Sequence, residues 1–169
     1  MSLSMHQASI PVLVQILGAL SGVLDKGQSH AAGRKIDPAV LLGLRLAPDM
    51  LPLTRQVHLA TDFAKNIAAR LAGVDAPKSE DNETTFEALR ARIAKTIAYV
   101  EGFKPAQIDG AEAREIVLTM RGEQVKLTGQ RYLLHFALPN FFFHAATAYD
   151  ILRNAGVEVG KRDFMGKFV

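Results

Sequence analysis

Four stretches of the chain carry apolar residues at the spacings of three or four that suit a helix, and this pattern constrains the fold more than any other feature. It places the apolar side chains on one stripe of each α-helix. Four such stripes, each needing a partner to bury it, indicate a four-helix bundle. The stripes are Ile10, Leu13, Leu17, Leu20 and Leu24; Leu53, Val57, Ala60, Ala64, Ile67 and Leu71; Phe86, Leu89, Ile93, Ile97 and Val100; and a mostly apolar stretch from Tyr132 to Ala148.

Capping residues, prolines and glycines set the predicted limits of the helices. Pro139 lies well inside the fourth long helix, where it removes one backbone hydrogen bond, and we expect a kink there. The predicted helices run from between Ser4 and Ser9 to Ser29 or His30; from Pro38, capped by Asp37, to Leu44; from about Leu53 to Ala72; from the capping box Thr84-x-x-Glu87 to Gly102; and from Thr128 to Asn154.

Between the third and fourth long helices the apolar period changes to strict alternation. We predict a β-hairpin over about residues 115–127 that turns at Arg121-Gly122. A lone hairpin is marginally stable in water, so this one should pack on the helices. The predicted fold is mainly α: a single domain over residues 1–169, a four-helix bundle with this hairpin and a docked tail over about residues 157–169.

Composition excludes several classes of function. The 169 residues include no cysteine, which excludes a disulfide framework and a thiolate metal site and fits a cytoplasmic location. The net charge is +3 without a dense basic block, so we expect no nucleic-acid partner. We also expect no membrane partner, because no run reaches the roughly 18 consecutive apolar residues of a membrane span and no signal peptide is evident. Phosphate-loop and serine-hydrolase motifs are missing from the sequence.

Two pairs of polar residues are candidate metal ligands. His58 and Asp62 share one face of the second long helix, and Asn140 and His144 share one face of the fourth. Bundles commonly hold metals between facing helices, and these side chains suit one divalent ion of zinc, nickel, manganese or iron. Each residue also has a structural alternative. The histidines and Asp62 can serve as helix-surface or buried hydrogen-bonding groups, and Asn140 can bond the backbone near Pro139.

Aromatic residues of the fourth helix suggest further roles. Tyr149 follows His144 on the next turns and is a candidate proton donor. Phe141, Phe142 and Phe143 cover most of the helix circumference, so one bundle cannot bury all three on one side. Core packing is the simplest use of these rings. A homodimer or a small apolar ligand would cover the remainder.

Several motifs resemble a family catalogued as a domain of unknown function, a branch of the DinB/YfiT-like superfamily of predicted metalloenzymes. The resemblance covers nearly the whole chain and implies a bacterial four-helix bundle with up–down–down–up topology, often dimeric. The matching motifs are Arg45-Leu-Ala-Pro-Asp-Met50, Gln56-Val57, Ala69-Arg-Leu-Ala-Gly73, Phe136-Ala-Leu-Pro-Asn-Phe-Phe-Phe-His144, Thr147-Ala-Tyr-Asp-Ile-Leu-Arg153 and Gly156-Val-Glu-Val-Gly-Lys161.

The superfamily pattern also implies site residues: one histidine from helix two and a His-x-x-x-His pair on helix four. By position, His58 would be the first ligand and His144 the last, while Asn140 replaces the middle histidine. An amide oxygen is a weaker ligand than imidazole for such metals. We therefore favour a degenerate metal site in a dimeric scaffold or small-ligand-binding protein. The alternative is a divalent-metal-dependent enzyme, similar to thiol-dependent transferases, in which His58, Asp62 and His144 hold the ion.

Overall fold

A computed structural model describes residues 3–167 and shows four long helices with a two-stranded hairpin between the third and the fourth. Residues 1, 2, 168 and 169, which the predicted domain includes, lie outside the described residues. The elements are α1 (Ile10–Arg34), α2 (Pro38–Gly43), α3 (Leu53–Ala72), α4 (Phe86–Glu101), α5 (Pro105–Ile108), a 3₁₀ turn (Ala111–Ala113), β1 (Glu115–Met120), β2 (Glu123–Thr128), α6 (Gly129–Tyr132), a π-helical segment (Leu133–Ala137), α7 (Leu138–Asn154) and α8 (Lys161–Met165).

The long helices α1, α3, α4 and α7 form the bundle, in which α3 packs against α4 and α7, and α1 packs against the same two helices. The predicted apolar stripes meet along the bundle axis. Each large side chain that is fully buried in the core, including those of the short helices, contributes roughly 1.5–3 kcal/mol relative to exposure. The largest such side chains are Tyr132, Phe86, Phe141, Leu13, Leu17, Leu24, Leu53, Ile67, Leu71, Leu89, Ile93 and Ile108.

The amino-terminal cap of α4 lies one residue later than predicted. Thr85, rather than Thr84, has extended backbone angles, and its hydroxyl accepts a hydrogen bond from the backbone N–H of Ala88 at 3.1 Å. This contact satisfies one of the helix's unpaired donors. The shift brings Phe86 into the first turn, where its ring is buried in the core.

Helix α1 ends later than predicted, at Arg34, where Lys35 takes a left-handed conformation with φ of 56°. By length and composition it is the one helix of residues 3–167 that could cross a membrane. Its apolar side chains Leu13, Leu17 and Leu24 instead lie in the bundle core.

The hairpin has the predicted turn. Arg121 and Gly122 both have positive φ, at 52° and 86°, as a two-residue type I′ turn requires. This turn sets the antiparallel register in which Met120 pairs with Glu123. Ile116 and Leu118 alternate with exposed residues and are buried, so the hairpin packs one face on the rest of the protein.

The predicted fourth long helix is divided into α6, the π-helical segment and α7. Pro139 lies in the first turn of α7, directly after the π-helical segment. Because proline lacks the N–H that would bond the residue four before it, the chain takes one wider turn there. The predicted kink is thus a local change of helical hydrogen bonding.

The residues after α7 pack along α1. Asp163 of α8 forms a salt bridge with Lys26 at 2.7 Å, and the Gln15 side chain donates to the carbonyl of Met165 at 2.8 Å. Val157 and Val159 are buried. These contacts fix the carboxyl-terminal segment on the outer side of α1.

Candidate functional site

The side chains of His144 on α7 and Gln56 on α3 meet between the two helices. His144 Nδ1 lies 2.7 Å from Gln56 Oε1, and Gln56 Nε2 donates to the carbonyl of Leu51 at 3.1 Å. The second bond fixes the amide orientation, so its oxygen faces the imidazole. An amide oxygen only accepts, so Nδ1 carries the ring proton and Nε2 keeps its lone pair.

Two phenyl rings flank this imidazole. Phe63 stacks on the His144 ring with centroids 5.7 Å apart, and Phe143 meets it edge-on at 5.3 Å. Burial of the half-exposed imidazole lowers the pKa of His144 below its ordinary value. The ring is therefore neutral at pH 7. Its Nε2 forms no hydrogen bond with any residue from 3 to 167, and it is available as an acceptor.

Asn140, one turn before His144, is used by the backbone of its own helix. Its Nδ2 donates to the carbonyl of Phe136 at 2.6 Å. This carbonyl lies in the π-helical segment beside Pro139, where the backbone hydrogen-bond pattern is disturbed. The amide thus has the structural role that the sequence allowed as an alternative to metal binding.

His58 lies in a different environment from His144. Its Nε2 is 2.8 Å from Glu83 Oε2, and Arg55 Nη1 lies 3.2 Å from its Nδ1. The Nε2–Glu83 contact is close, but it does not meet hydrogen-bond geometry. Burial, followed by the nearby Arg92 guanidinium, lowers the pKa of His58 despite the opposing carboxylates.

Asp62 belongs to the same cluster as His58, around the buried guanidinium of Arg92. Arg92 Nη2 donates to Asp62 Oδ1 at 2.9 Å, and its Nε donates to Thr61 Oγ1 at 2.7 Å. Its Nη1 lies 3.0 Å from Asp81 and 3.2 Å from Glu83. The cluster joins α3, α4 and the loop between them. It is a structural network of charges on the side of α3 that faces α4.

The four predicted metal ligands are therefore not brought together. His58 and Asp62 share a face, as expected, but Gln56, roughly 200° around α3 from His58, is the residue that meets His144. Among residues 3–167 no three His, Asp or Glu side chains are placed to hold one metal ion. The site at His144 brings together one imidazole and the amide of Gln56, which does not fit the three-imidazole set that the resemblance implies. The metal site remains a prediction from the sequence.

The other predicted site residues are also dispersed. Tyr149 packs edge-on against Phe164 of α8 at 5.9 Å, on a side of α7 about 140° from His144. Of the three consecutive phenylalanines, Phe141 is fully buried, Phe142 is partly buried and Phe143 is 54% exposed. Phe143 alone of the three presents most of its ring to solvent.

Sequence reasoning missed Gln56 and Arg92, although both lie next to the apolar stripes. Gln56 precedes Ala60 by one turn, and Arg92 follows Leu89 by three residues. A polar residue at such a position lies on the inner side of its helix and needs a buried partner. That rule would have paired Gln56 with a side chain of the facing helix.

The fold and the motifs agree with known proteins. A crystal structure at 1.83 Å of a DinB family member from Shewanella denitrificans matches with a TM-score of 0.88 and 42% identity, covering 96% of this chain and 92% of that one. No curated protein matches. The predicted mainly α, DinB-like fold with a hairpin is confirmed. The family described as Domain of unknown function (DUF1993) matches residues 5–165, so the chain belongs to this family.

Proposed function

We propose that this protein is a DinB-like bundle that binds a small molecule at His144 and whose metal-ligand set is degenerate. The contact between His144 Nδ1 and Gln56 Oε1, at 2.7 Å, is the observation that carries the proposal. It holds the imidazole in one orientation and one tautomer. A histidine fixed in this way presents its second nitrogen as a preorganised acceptor.

The surroundings of the acceptor define the ligand class. Neutral His144 accepts a hydrogen bond from an O–H or N–H donor, and the exposed ring of Phe143 offers an apolar surface beside it. A planar apolar molecule with one donor, such as a phenol, matches both features. The ring of such a ligand would be buried against Phe143 while its donor bonds His144, so both contacts contribute to the binding free energy.

Two fragments that differ only in the donor test this chemistry. 4-Methylphenol should shift the NMR signals of the His144 ring nitrogens, whereas 4-methylanisole, which lacks the donor, should bind about fivefold to tenfold more weakly. The His144→Phe variant should lose the discrimination. The exposed His135 of the same helical region supplies a matched control, His135→Phe, which should keep it. Equal binding of both fragments would overturn the proposal.

Metal titration separates this function from the metalloenzyme alternative. Protein purified without a metal-affinity tag should take up zinc or nickel only weakly, because one imidazole and one amide oxygen form a poor donor set. Stoichiometric, submicromolar uptake that His144→Phe abolishes would favour the alternative enzyme instead.

We also propose that the protein forms a homodimer and is cytoplasmic. Support for the dimer comes from two exposed apolar side chains, Phe143 on α7 and Leu134 in the π-helical segment, which are 54% and 45% exposed. A second copy of the protein would cover such side chains. The cytoplasmic location is supported by the absence of cysteine and by the burial of the apolar side chains of α1.

A further inference from the structure

Helix α1 has an outer face without charge over its first four turns. From Ile10 to Leu24 it contains no Asp, Glu, Lys or Arg, although Pro11, Gly18 and Gly22 are exposed to solvent. The outer face of a bundle helix is usually charged or polar. The carboxyl-terminal segment covers part of this face, where Gln15 bonds the carbonyl of Met165. The part around Pro11 and Val14 remains open.

A cavity of about 760 Å³ opens on this face, beside the segment that links α4 to α5. Its volume lies within the range of small-molecule sites. Ile10 and Phe103 are buried, and Val14 is half-buried; together they form an apolar floor, while Pro11 and Pro105 form the walls. None of the residues around His144 lines this cavity, so it is independent of the site proposed above.

Cationic groups lie at the rim of the cavity. Lys104 and Lys167 line it together with a single acid, Glu101. Lys104 forms no salt bridge with residues 3–167. The imidazole of His6 is used locally, because its Nε2 lies 3.3 Å from the carbonyl of Phe103. Two ammonium groups above an apolar floor are complementary to an anion that carries a hydrocarbon chain.

We propose that this cavity binds an amphipathic carboxylate, with its alkyl chain on Ile10, Val14 and Phe103 and its carboxylate at Lys104 and Lys167. Both parts of the ligand are needed. The ligand's alkyl chain supplies the free energy of apolar burial, and its carboxylate sets the orientation of the ligand through its charge. A short carboxylate lacks the first contribution, and a neutral long-chain alcohol lacks the second.

Isothermal titration calorimetry with decanoate, decanol and acetate tests the proposal on the full chain. We expect decanoate to bind with one-to-one stoichiometry, decanol about tenfold more weakly, and acetate without measurable heat. Lys104→Glu should weaken decanoate binding about tenfold. Lys78→Glu, an equal charge change in the exposed loop between α3 and α4, is the matched control and should leave binding unchanged.

Two variants of α1 locate the ligand. Val14→Trp fills the cavity and should abolish decanoate binding, and thermal unfolding checks that the fold is retained. Gly22→Leu adds a side chain to a neighbouring cavity of about 620 Å³ on the same helix, and it should bind decanoate normally. The proposal is overturned if decanoate does not bind, if decanol binds equally well, or if a folded Val14→Trp protein binds as wild type does.

Discussion

Arg92 Nη2 lies 2.9 Å from Asp62 Oδ1, and this contact directs the carboxylate of α3 toward α4. The guanidinium is nearly buried, with its side chain 6% exposed, and is surrounded by oxygen acceptors from α3 and from the loop between α3 and α4. A buried cation of this kind is tolerated only when its hydrogen bonds are satisfied. The carboxylate that the sequence suggested as a metal ligand therefore already has a partner.

Replacing Arg92 with methionine should lower the free energy of unfolding by about 3 kcal/mol, because the carboxylates of Asp62 and Glu83 would lose their buried partner. Urea denaturation measures the change. Arg90→Met, on the same helix but in a more exposed pair with Asp25, should cost less than about 1 kcal/mol. Equal losses in the two variants would contradict the structural role of Arg92.

Acidification should destabilise the protein through its two lowered histidines. The pKa of His58 and that of His144 lie below the ordinary value of about 6.5 in the folded state, chiefly because of burial. The unfolded chain then binds more protons, so the stability present above pH 6.5 is lost as the pH falls through the folded-state pKa values. Urea midpoints at pH 7.5 and 5.5 should show this fall, and His58→Gln should reduce it. A rise in stability on acidification would contradict the expected shifts.

Two adjacent threonines at the start of α4 have different roles, because only Thr85 caps the helix. Thr85→Ala removes the acceptor of the Ala88 N–H and should lower the free energy of unfolding by about 1 kcal/mol. Thr84→Ala, at the position that the sequence motif indicated, should change it by less than about 0.5 kcal/mol. Thermal unfolding of both variants distinguishes the two cap positions, and the opposite order would restore the predicted one.

Two glycines should respond in opposite ways to alanine. A methyl group on Gly129 would overlap the backbone carbonyl oxygen of Ala111, so Gly129→Ala should cost roughly 2–3 kcal/mol or more. A methyl group on Gly18 would meet nothing within 4 Å. Since alanine favours helix more than glycine, Gly18→Ala should stabilise the protein by about 0.5–1 kcal/mol. Chemical denaturation of both variants is the measurement.

The proposed dimer depends on an exposed ring. Phe143→Asp should leave the free energy of unfolding of the monomer within about 0.5 kcal/mol and should convert the dimer to monomer in light scattering at micromolar concentration. Phe141→Ala, at a fully buried position, should instead cost roughly 3–5 kcal/mol. A wild-type protein that is monomeric at that concentration would refute the dimer.

The fold was predictable because its signals are local and repeated. The spacing of three and four fixed the inner face of α3, and Arg121-Gly122 identified the hairpin turn, since both residues adopt the positive φ that the turn needs. The division of the last long helix was harder to predict. Pro139 indicated a disturbance, but whether a helix kinks or takes a wider turn depends on the packing of its neighbours.

The site was less predictable, because it depends on which helix faces which. A four-residue spacing correctly placed His58 and Asp62 on one face of α3, yet it contains no information on what that face contacts. The residue that contacts His58 is Glu83, which lies in the loop before α4, where helix periodicity does not apply. Positional transfer from a family pattern likewise selected His58, two residues from Gln56, which actually meets His144.

The five-residue π-helical segment has a consequence for how this helix can change. Its wider turn sets the angular phase of every residue that follows it, including His144 and Phe141. Deleting one residue between 133 and 137 would rotate all of α7 by about 100° relative to the preceding chain. Such a deletion would separate His144 from Gln56 and expose the ring of Phe141. The position of the His144 acceptor and the packing of the core therefore both depend on this one π-helical turn.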